Sequence, residues 1–209
     1  MNFIFEPSLV LYLPLYRLDG ASFASRDAYG HLCTVSGALW RPYGHYFDGV
    51  DDKIDCGTPA TLNFGAGSYT VGAWFYYTLA ANDKPLFNST DSSNRRRINL
   101  RSSAFSRHAI GGSIQERTFT RPDAEVWHLL VGVYSLEASK LLVYIDGCYE
   151  DETTGVTGTL ADTTVNEVGV WTALGFKFGG LIGEVWIYSR VLTPLEIQHN
   201  YLATKWRYR

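Results

Sequence analysis

Apolar and polar residues alternate along most of this chain, and turn residues interrupt the alternation about every 8–12 positions. A period of two places successive side chains on opposite faces, so the pattern predicts strands with one buried face. The clearest predicted strands are residues 9–13, 68–78, 126–134, 140–146 and 181–188. Many short strands at regular spacing indicate a β-sandwich or jelly roll.

Two Asp-Gly pairs and one capped segment complete the predicted elements. Asp48-Gly49 and Asp146-Gly147 each predict a tight hairpin, because both central residues of that turn need a positive φ. One helix is predicted, with Thr193 as its cap, Pro194 at its first position and Glu196 closing a capping box. It extends to about residue 204. With no linker or repeat, residues 1–209 are predicted to form a single domain.

Composition supports this architecture and excludes several classes of protein. Aromatic residues make up 15% of the chain and glycines number 20, which favours strands and turns over a helix bundle. A net charge of -3 argues against nucleic-acid binding. No apolar run reaches the roughly 18 residues of a membrane helix, so membrane insertion is not predicted. No signal peptide is predicted, because the first residues lack a basic segment and a cleavage site, and localisation is left unknown.

The three cysteines, Cys33, Cys56 and Cys148, form an odd set at wide spacings. An odd set leaves at least one thiol unpaired within the chain. No Cys-x-x-Cys pair occurs, so a zinc site is not predicted.

Six short segments carry a more specific signal through their order. They are YFDGVDD at 46–52, YTVGAW at 69–74, WHLLVG at 127–132, LVYIDG at 142–147, IGEVWIY at 182–188 and SRVLTPLEI at 189–197. This series resembles the laminin G-like domains of the concanavalin A-like lectin/glucanase jelly-roll superfamily. The resemblance implies an all-β, two-sheet antiparallel jelly-roll β-sandwich with one short C-terminal helix. It also implies a domain that binds glycans, proteins or other surfaces, in most cases without catalysis.

A catalytic role is not predicted. Glucanases of this superfamily place paired acids on one strand, because retaining hydrolysis needs two carboxyl groups about 5 Å apart. This chain lacks a Glu-x-Asp-x-x-Glu run. Its nearest acidic cluster, Glu150-Asp151-Glu152, follows a hairpin and is interpreted as a solvated turn. A glycoside hydrolase or polysaccharide lyase is therefore the less favoured hypothesis.

Calcium is the candidate cofactor, because related domains often hold it with loop carboxylates. The candidate ligands are Asp19, Asp27, Asp48, Asp51 and Asp52. The alternative is that Asp48 serves its turn and the other carboxylates are solvated. Many relatives carry an Asp where this chain has Gly183, so one acidic position of the closing strand is missing.

The candidate ligand-binding residues are Trp186, Tyr188, Arg97 and Arg101. Val185 and Ile187 are expected to face the core, which places Trp186 and Tyr188 on the other face with Glu184. An ionised Glu is seldom buried unpaired, so this face is predicted to meet solvent, where a sugar could stack on the rings. The alternative is packing of the two rings under a loop. Ile98 and Leu100 similarly direct Arg97 and Arg101 outward, either as a plain solvent face or as a patch for an anionic glycan.

These observations predict a non-catalytic domain whose partner is carbohydrate or a cell-surface glycan. The alternative is a structural, decoration or adhesion protein of a virus particle or surface assembly, suggested by a solitary domain without an export signal. The oligomeric state is left open.

Overall fold

The computed structural model describes residues 2–63, 65, 67–78, 84–90, 95–100, 104–110, 113–156 and 165–209, with the backbone alone at 95, 104–110, 113–119 and 174. Its strands follow in chain order: β1 (Leu9–Pro14), β2 (Ser22–Ala24), β3 (Leu32–Ser36), β4 (Leu39–Arg41), β5 (Gly44–Asp48), β6 (Lys53–Asp55), β7 (Tyr69–Tyr76), β8 (Lys84–Thr90), β9 (Arg95–Leu100), β10 (Ala104–Ile110), β11 (Ser113–Phe119), β12 (His128–Ser135), β13 (Lys140–Ile145), β14 (Cys148–Thr154), β15 (Val165–Val168), β16 (Val170–Trp171), β17 (Phe176–Lys177) and β18 (Gly179–Tyr188). The α-helix α1 (Pro194–Thr204) follows, and short 3₁₀ turns lie at Ala60–Leu62, Thr172–Leu174 and Lys205–Arg207.

Two eight-stranded antiparallel sheets contain most of these strands. The first sheet has the order β14-β13-β12-β7-β18-β5-β4, with β1 also paired to β18. The second sheet has the order β11-β10-β9-β8-β15-β6-β3-β2. The strands β16 and β17 form a separate hairpin. The predicted all-β sandwich with one short C-terminal helix is confirmed.

The helix begins and ends where the sequence predicts. The hydroxyl of Thr193 accepts a hydrogen bond from the Glu196 backbone N–H at 3.3 Å, and the Glu196 carboxylate accepts one from the Thr193 N–H at 2.7 Å. This reciprocal capping box satisfies two donors that a helix N-terminus otherwise leaves free. Pro194 occupies the first turn, where its missing N–H costs nothing.

The two Asp-Gly turns differ in what they connect. Asp146 and Gly147 have φ values of 51° and 79° and join β13 to β14, so this predicted hairpin is confirmed. Asp48-Gly49, in contrast, follows β5 in the first sheet and leads to β6 in the second. The predicted hairpin there is wrong, because the turn carries the chain from one sheet to the other.

Apolar side chains pack in two layers, one between the sheets and one on the outer face of the first sheet. The inter-sheet core includes Val71, Phe75, Ile98, Val185 and Ile187. We call the second layer the outer cluster; its buried members are Leu9, Tyr12, Trp74, Leu129, Val131, Val133, Tyr144, Trp186, Tyr188, Leu192, Ile197 and Tyr208. The N-terminal segment and α1 contribute Phe3, Ile4, Ile197 and Tyr201 to this layer, so they cover the outer face.

Two of the three cysteines are buried as facing neighbours. Thr34 pairs with Asp55 across β3 and β6, and this register places Cys33 opposite Cys56. Both side chains are buried, whereas Cys148 is exposed. A hydrogen bond with Cys33, together with burial, raises the pKa of the Cys56 thiol. In the described part of the chain, no helix has both the length and the apolar character to cross a membrane.

Candidate functional site: an aromatic groove

The two aromatic residues predicted to bind ligand lie inside the outer cluster. Trp186 is 0% exposed, and its ring lies so close to Gly72 that a Cβ there would fall 2.3 Å from it. The Tyr188 hydroxyl donates to the Ile4 carbonyl at 2.6 Å and accepts from the Asn200 amide at 3.1 Å. The prediction that Trp186 and Tyr188 face away from the inter-sheet core is correct. The prediction that they face solvent is wrong, because the N-terminal segment and α1 cover them.

The same correction applies to Arg97. Ile98 and Leu100 do lie in the inter-sheet core, so Arg97 faces outward on β9 as predicted. Its side chain is nevertheless buried, because the guanidinium carbon lies 3.7 Å from the centre of the Trp171 ring in the β16–β17 hairpin. A guanidinium stacked beneath an indole is held in place by the hairpin rather than offered to a ligand. Arg101 lies outside the described residues.

Glu184 is the residue on which the solvent prediction depended, and it is buried in an ion pair. One carboxylate oxygen accepts from Arg207 Nη1 at 2.5 Å, and the other accepts from the Tyr12 hydroxyl at 3.3 Å. Burial raises the pKa of Glu184, and the Arg207 charge opposes that rise. A charged residue is stable inside when a partner and hydrogen bonds accompany it. The partner here comes from the C-terminal tail, which strand alternation does not reveal.

The structure also explains why position 183 holds a glycine. A Cβ at Gly183 would fall 2.4 Å from the Tyr208 ring. That ring stacks on Trp74 and lies tilted against Trp127, with ring centres 4.5 Å and 4.7 Å away. The tail therefore occupies the space above Gly183, and only glycine leaves room for it.

Beside this buried pair, exposed aromatic side chains form an open groove of about 230 Å³. We call it the aromatic groove; its residues are Tyr16, Pro42, Tyr43, Trp206 and Arg207. Trp206 is 60% exposed and Tyr43 is 51% exposed. A concave surface that groups exposed aromatic faces with a fixed guanidinium has the make-up of a ligand site, so this groove is the candidate site.

The edge of β18 brings Tyr16 and Tyr43 together. The strand β1 pairs with the second half of β18 and ends at Pro14, opposite Glu184, whereas β5 pairs with the first half. The end of β1 and the start of β5 therefore meet beside the same point of β18. The Trp40 indole donates to the Tyr16 carbonyl at 2.9 Å, and the His45 ring bonds the Leu15 carbonyl at 2.8 Å. These bonds fix the backbone that carries Tyr16.

The C-terminal 3₁₀ turn supplies the other side of the groove. The Trp206 indole N–H donates to the Ala203 carbonyl at 2.9 Å, which fixes the ring and leaves much of it exposed. The Arg207 guanidinium carbon lies 4.8 Å from the centre of the Trp206 ring and 4.9 Å from that of Tyr16. Together with the Glu184 bond, these contacts preorganise the arginine, so that binding a ligand would cost it little conformational entropy.

A larger cavity of about 600 Å³ adjoins the groove and shares Tyr16 and Arg207 with it. We call it the arginine basin; its lining residues are Asn2, Phe3, Phe5, Tyr12, Pro14, Tyr16, Arg17, Arg26 and Arg207. Three of these residues are arginines, and none carries a carboxylate.

Strand alternation predicts neither the groove nor the basin. Tyr43 lies in the turn between β4 and β5, and Trp206 lies beyond the predicted helix, so neither belongs to an alternating strand. The residues 205–209, Lys-Trp-Arg-Tyr-Arg, do carry a signal, because aromatic and basic residues alternate in a short tail. Such a segment is typical of a surface that stacks on rings and binds acidic groups.

Three of the five predicted calcium ligands come together. Each of Asp48, Asp51 and Asp52 offers a carboxylate oxygen, and these oxygens lie within 4.8 Å of one another; we call this cluster the aspartate turn. Burial, together with the two neighbouring carboxylates, raises the pKa of Asp52, while a hydrogen bond from the Asp48 N–H at 2.8 Å opposes the rise. Clustered carboxylate oxygens are ligands that a hard cation prefers, so these three fit calcium.

Asp19 and Asp27 are used elsewhere. Asp19 pairs with Arg26 at 2.6 Å. Asp27 accepts hydrogen bonds from the backbone N–H groups of Tyr12 and Tyr29, at 2.9 Å and 2.8 Å. Both carboxylates organise the loop after β1, and neither is part of the aspartate turn.

Comparison with known proteins places this fold in a family. A sequence model of the Concanavalin A-like lectin/glucanases superfamily matches residues 48–198. The match spans well over half of the chain, and the chain belongs to this superfamily. No curated protein compared with the sequence matches it.

Similar solved structures include binding domains of clostridial toxins. The receptor binding domain of botulinum neurotoxin C/D mosaic serotype superposes with a TM-score of 0.79 at 12% identity, covering 94% of this chain and 51% of that chain. The ligand binding domain of botulinum neurotoxin serotype D, in complex with N-acetylneuraminic acid, gives 0.77 at 13% identity, with coverages of 94% and 51%. The binding domain of Paraclostridial Mosquitocidal Protein 1 superposes with a TM-score of 0.73 at 13% identity, covering 93% of this chain and 52% of that chain. The chain thus spans about half the length of these structures, and at such identities the likeness shows the fold.

Proposed function

We propose that this domain binds carbohydrate without catalysis, and that the aromatic groove is its site. The observation that carries the proposal is the exposure of Trp206 and Tyr43 in one groove with a fixed Arg207 guanidinium. The apolar face of a sugar ring packs on an aromatic face, and guanidinium N–H groups donate to its oxygens. A groove with exposed rings and a preorganised donor suits that ligand class.

The family and its structural relatives support the same class of function. The superfamily includes lectins, and the similar toxin structures are binding domains, one of them solved with N-acetylneuraminic acid. The superfamily also includes glucanases, so the experiments below test for binding and for cleavage of the glycan.

Replacing Trp206 by alanine is expected to weaken glycan binding about 30-fold, as loss of a central aromatic anchor costs roughly 2 kcal/mol. The free energy of unfolding should fall by about 1 kcal/mol or less, because most of the ring is already in water. A glycan array identifies the ligand, and calorimetric titration measures its affinity for the wild type and the variant.

Tyr149 provides a matched control, because it is as exposed as Tyr43 but lies on β14, at the far edge of the first sheet. Tyr43→Ala should weaken binding, and Tyr149→Ala should leave it unchanged. Equal binding by all variants would contradict the proposed site. Release of new reducing ends from the bound glycan would contradict a non-catalytic role.

We also propose that the aspartate turn binds calcium, in a structural rather than a ligand-contacting role. It lies at the end of β5, whereas Tyr43 lies just before its start, about 16 Å away at the rise of a strand. Two of its carboxylates already hold the turn through backbone N–H groups, Asp48 through that of Val50 at 2.7 Å and Asp52 through that of Asp48. Calcium would neutralise the mutual repulsion of the three charges.

EDTA is therefore expected to lower the melting temperature of the protein. A site saturated at about 100 times its dissociation constant contributes roughly 2.7 kcal/mol. Asp51→Asn is the matched variant, because the Asp51 carboxylate accepts no hydrogen bond within the described residues. Its loss should remove the effect of EDTA without disturbing the turn. An unchanged melting curve, with no calcium detected by elemental analysis, would contradict the site.

A further inference from the structure

We infer that the ligand carries an acidic group, and that this group binds in the arginine basin. The inference rests on the proposed function, because it extends a sugar held in the aromatic groove into the adjoining cavity. Three arginines and no carboxylate line the basin of a protein whose net charge is -3. A local concentration of cationic side chains against the overall charge favours an anionic ligand.

The carboxylates that accompany these arginines lie outside the lining of the basin. Glu184, which pairs with Arg207, is fully buried, and Asp19, which pairs with Arg26, has a side chain only 17% exposed. Arg17 is exposed, and no carboxylate partner for it occurs among the described residues. Two carboxylates for three arginines leave the basin with a net positive charge. Arg17 is therefore the side chain that an acidic ligand would neutralise.

The geometry allows one ligand to contact both cavities. Tyr16 and Arg207 line the groove and the basin alike, so the two spaces adjoin at these side chains. The volume of the basin, about 600 Å³, falls within the roughly 300–1,000 Å³ of small-molecule sites. A ring stacked near Trp206 would place its acidic substituent toward Arg17. Planar guanidinium groups bind carboxylate and sulfate oxygens through two parallel hydrogen bonds.

The test compares an acidic sugar with its uncharged ester, and both with lactose and a sulfated lactose. The full chain is titrated with 3′-sialyllactose, with its uncharged methyl ester, with lactose and with lactose 3′-sulfate. We expect the two acidic sugars, or one of them, to bind about tenfold more tightly than the ester, with a difference that shrinks at high salt. Preference for the sialylated or the sulfated sugar shows whether carboxylate or sulfate is the natural group.

Variants assign that difference to the basin. Arg17→Gln should reduce the affinity for the acidic sugar to that for the ester and leave lactose binding unchanged. Lys177→Gln, on the β16–β17 hairpin outside the basin, should have no effect. Arg17 makes no described side-chain contact, so its replacement should not alter folding.

The inference and the proposed function fail in different ways. Equal affinity for the acid and the ester, with Trp206→Ala still weakening the binding of both, would overturn the acidic ligand and leave carbohydrate binding standing. Acid binding that depends on Arg17 but is unaffected by Trp206→Ala would support the basin and overturn the groove. No binding by any of the four sugars or on a glycan array would overturn both.

Discussion

Replacement of Trp186 by alanine is expected to lower the free energy of unfolding by about 3–5 kcal/mol, as for a Trp in a protein core. The ring is 0% exposed, packs over Gly72 and contacts Tyr188 edge-on, with ring centres 5.6 Å apart. Phe3 of the N-terminal segment lies against it at 6.2 Å. Alanine would leave a cavity. The neighbouring strands cannot move in to fill it, because hydrogen bonds hold β1 and β7 to β18.

Urea unfolding of the wild type and of two variants measures this effect. Trp206→Ala is the matched control, since it removes the same side chain from an exposed position and should lower stability by about 1 kcal/mol or less. Trp186→Phe should fall between the two, because a smaller ring leaves a smaller cavity. A loss below about 1 kcal/mol for Trp186→Ala would show that the outer cluster contributes little to stability.

Local signals in the sequence account for the fold. Alternation identified the strands, the Asp146-Gly147 pair gave a hairpin with two positive φ values, and Thr193 with Glu196 capped the helix. Each depends on residues a few positions apart, where backbone sterics and hydrogen bonds decide the outcome. Asp48-Gly49 failed as a hairpin because a turn fixes the local direction of the chain, whereas the sheet that the next strand joins is set by contacts far along the sequence.

The same local signals do not predict the candidate site. Alternation shows which side of a strand a residue occupies, and Trp186 does lie opposite the inter-sheet core. It does not show whether a further layer covers that side. Tyr188 bonds Ile4, which is 184 residues away in sequence, and Glu184 bonds Arg207 in the tail. The aromatic groove likewise contains Tyr43 and Trp206, which lie far apart in the sequence.

Arg207→Met is expected to destabilise the protein at neutral pH by about 3 kcal/mol. The variant leaves the Glu184 carboxylate, which is fully buried, without its cationic partner. Removing one partner of a buried ion pair typically costs about 3–5 kcal/mol. We expect the lower end of that range, because the Arg207 side chain is itself 23% exposed and its own charge is partly screened by water. Methionine preserves much of the packing against Tyr16 and Trp206.

The destabilisation should decrease as the pH falls. Burial already raises the pKa of Glu184 above the ordinary value of 4.5, and removal of Arg207 takes away the interaction that opposes this rise. In the folded variant, Glu184 then keeps its proton at pH values where Glu184 of the unfolded chain has lost it. The stability of the variant therefore falls as the pH rises from 4.5 through the pKa of Glu184 in the folded state. The neighbouring Tyr12 and Tyr208 remain neutral in this range, because burial raises the pKa of both hydroxyls.

Urea unfolding at several pH values between 4.5 and 8 tests this expectation against a neutral partner. The double variant Glu184→Gln/Arg207→Met has no buried carboxylate at position 184 that lacks a cationic partner. Its steep pH dependence should therefore disappear, and part of the lost stability should return. The unfolding free energy of Glu184→Gln alone should vary with pH less than that of Arg207→Met. A pH-independent loss in Arg207→Met, equal to that of the double variant, would show that Arg207 stabilises the tail by packing rather than by neutralising Glu184.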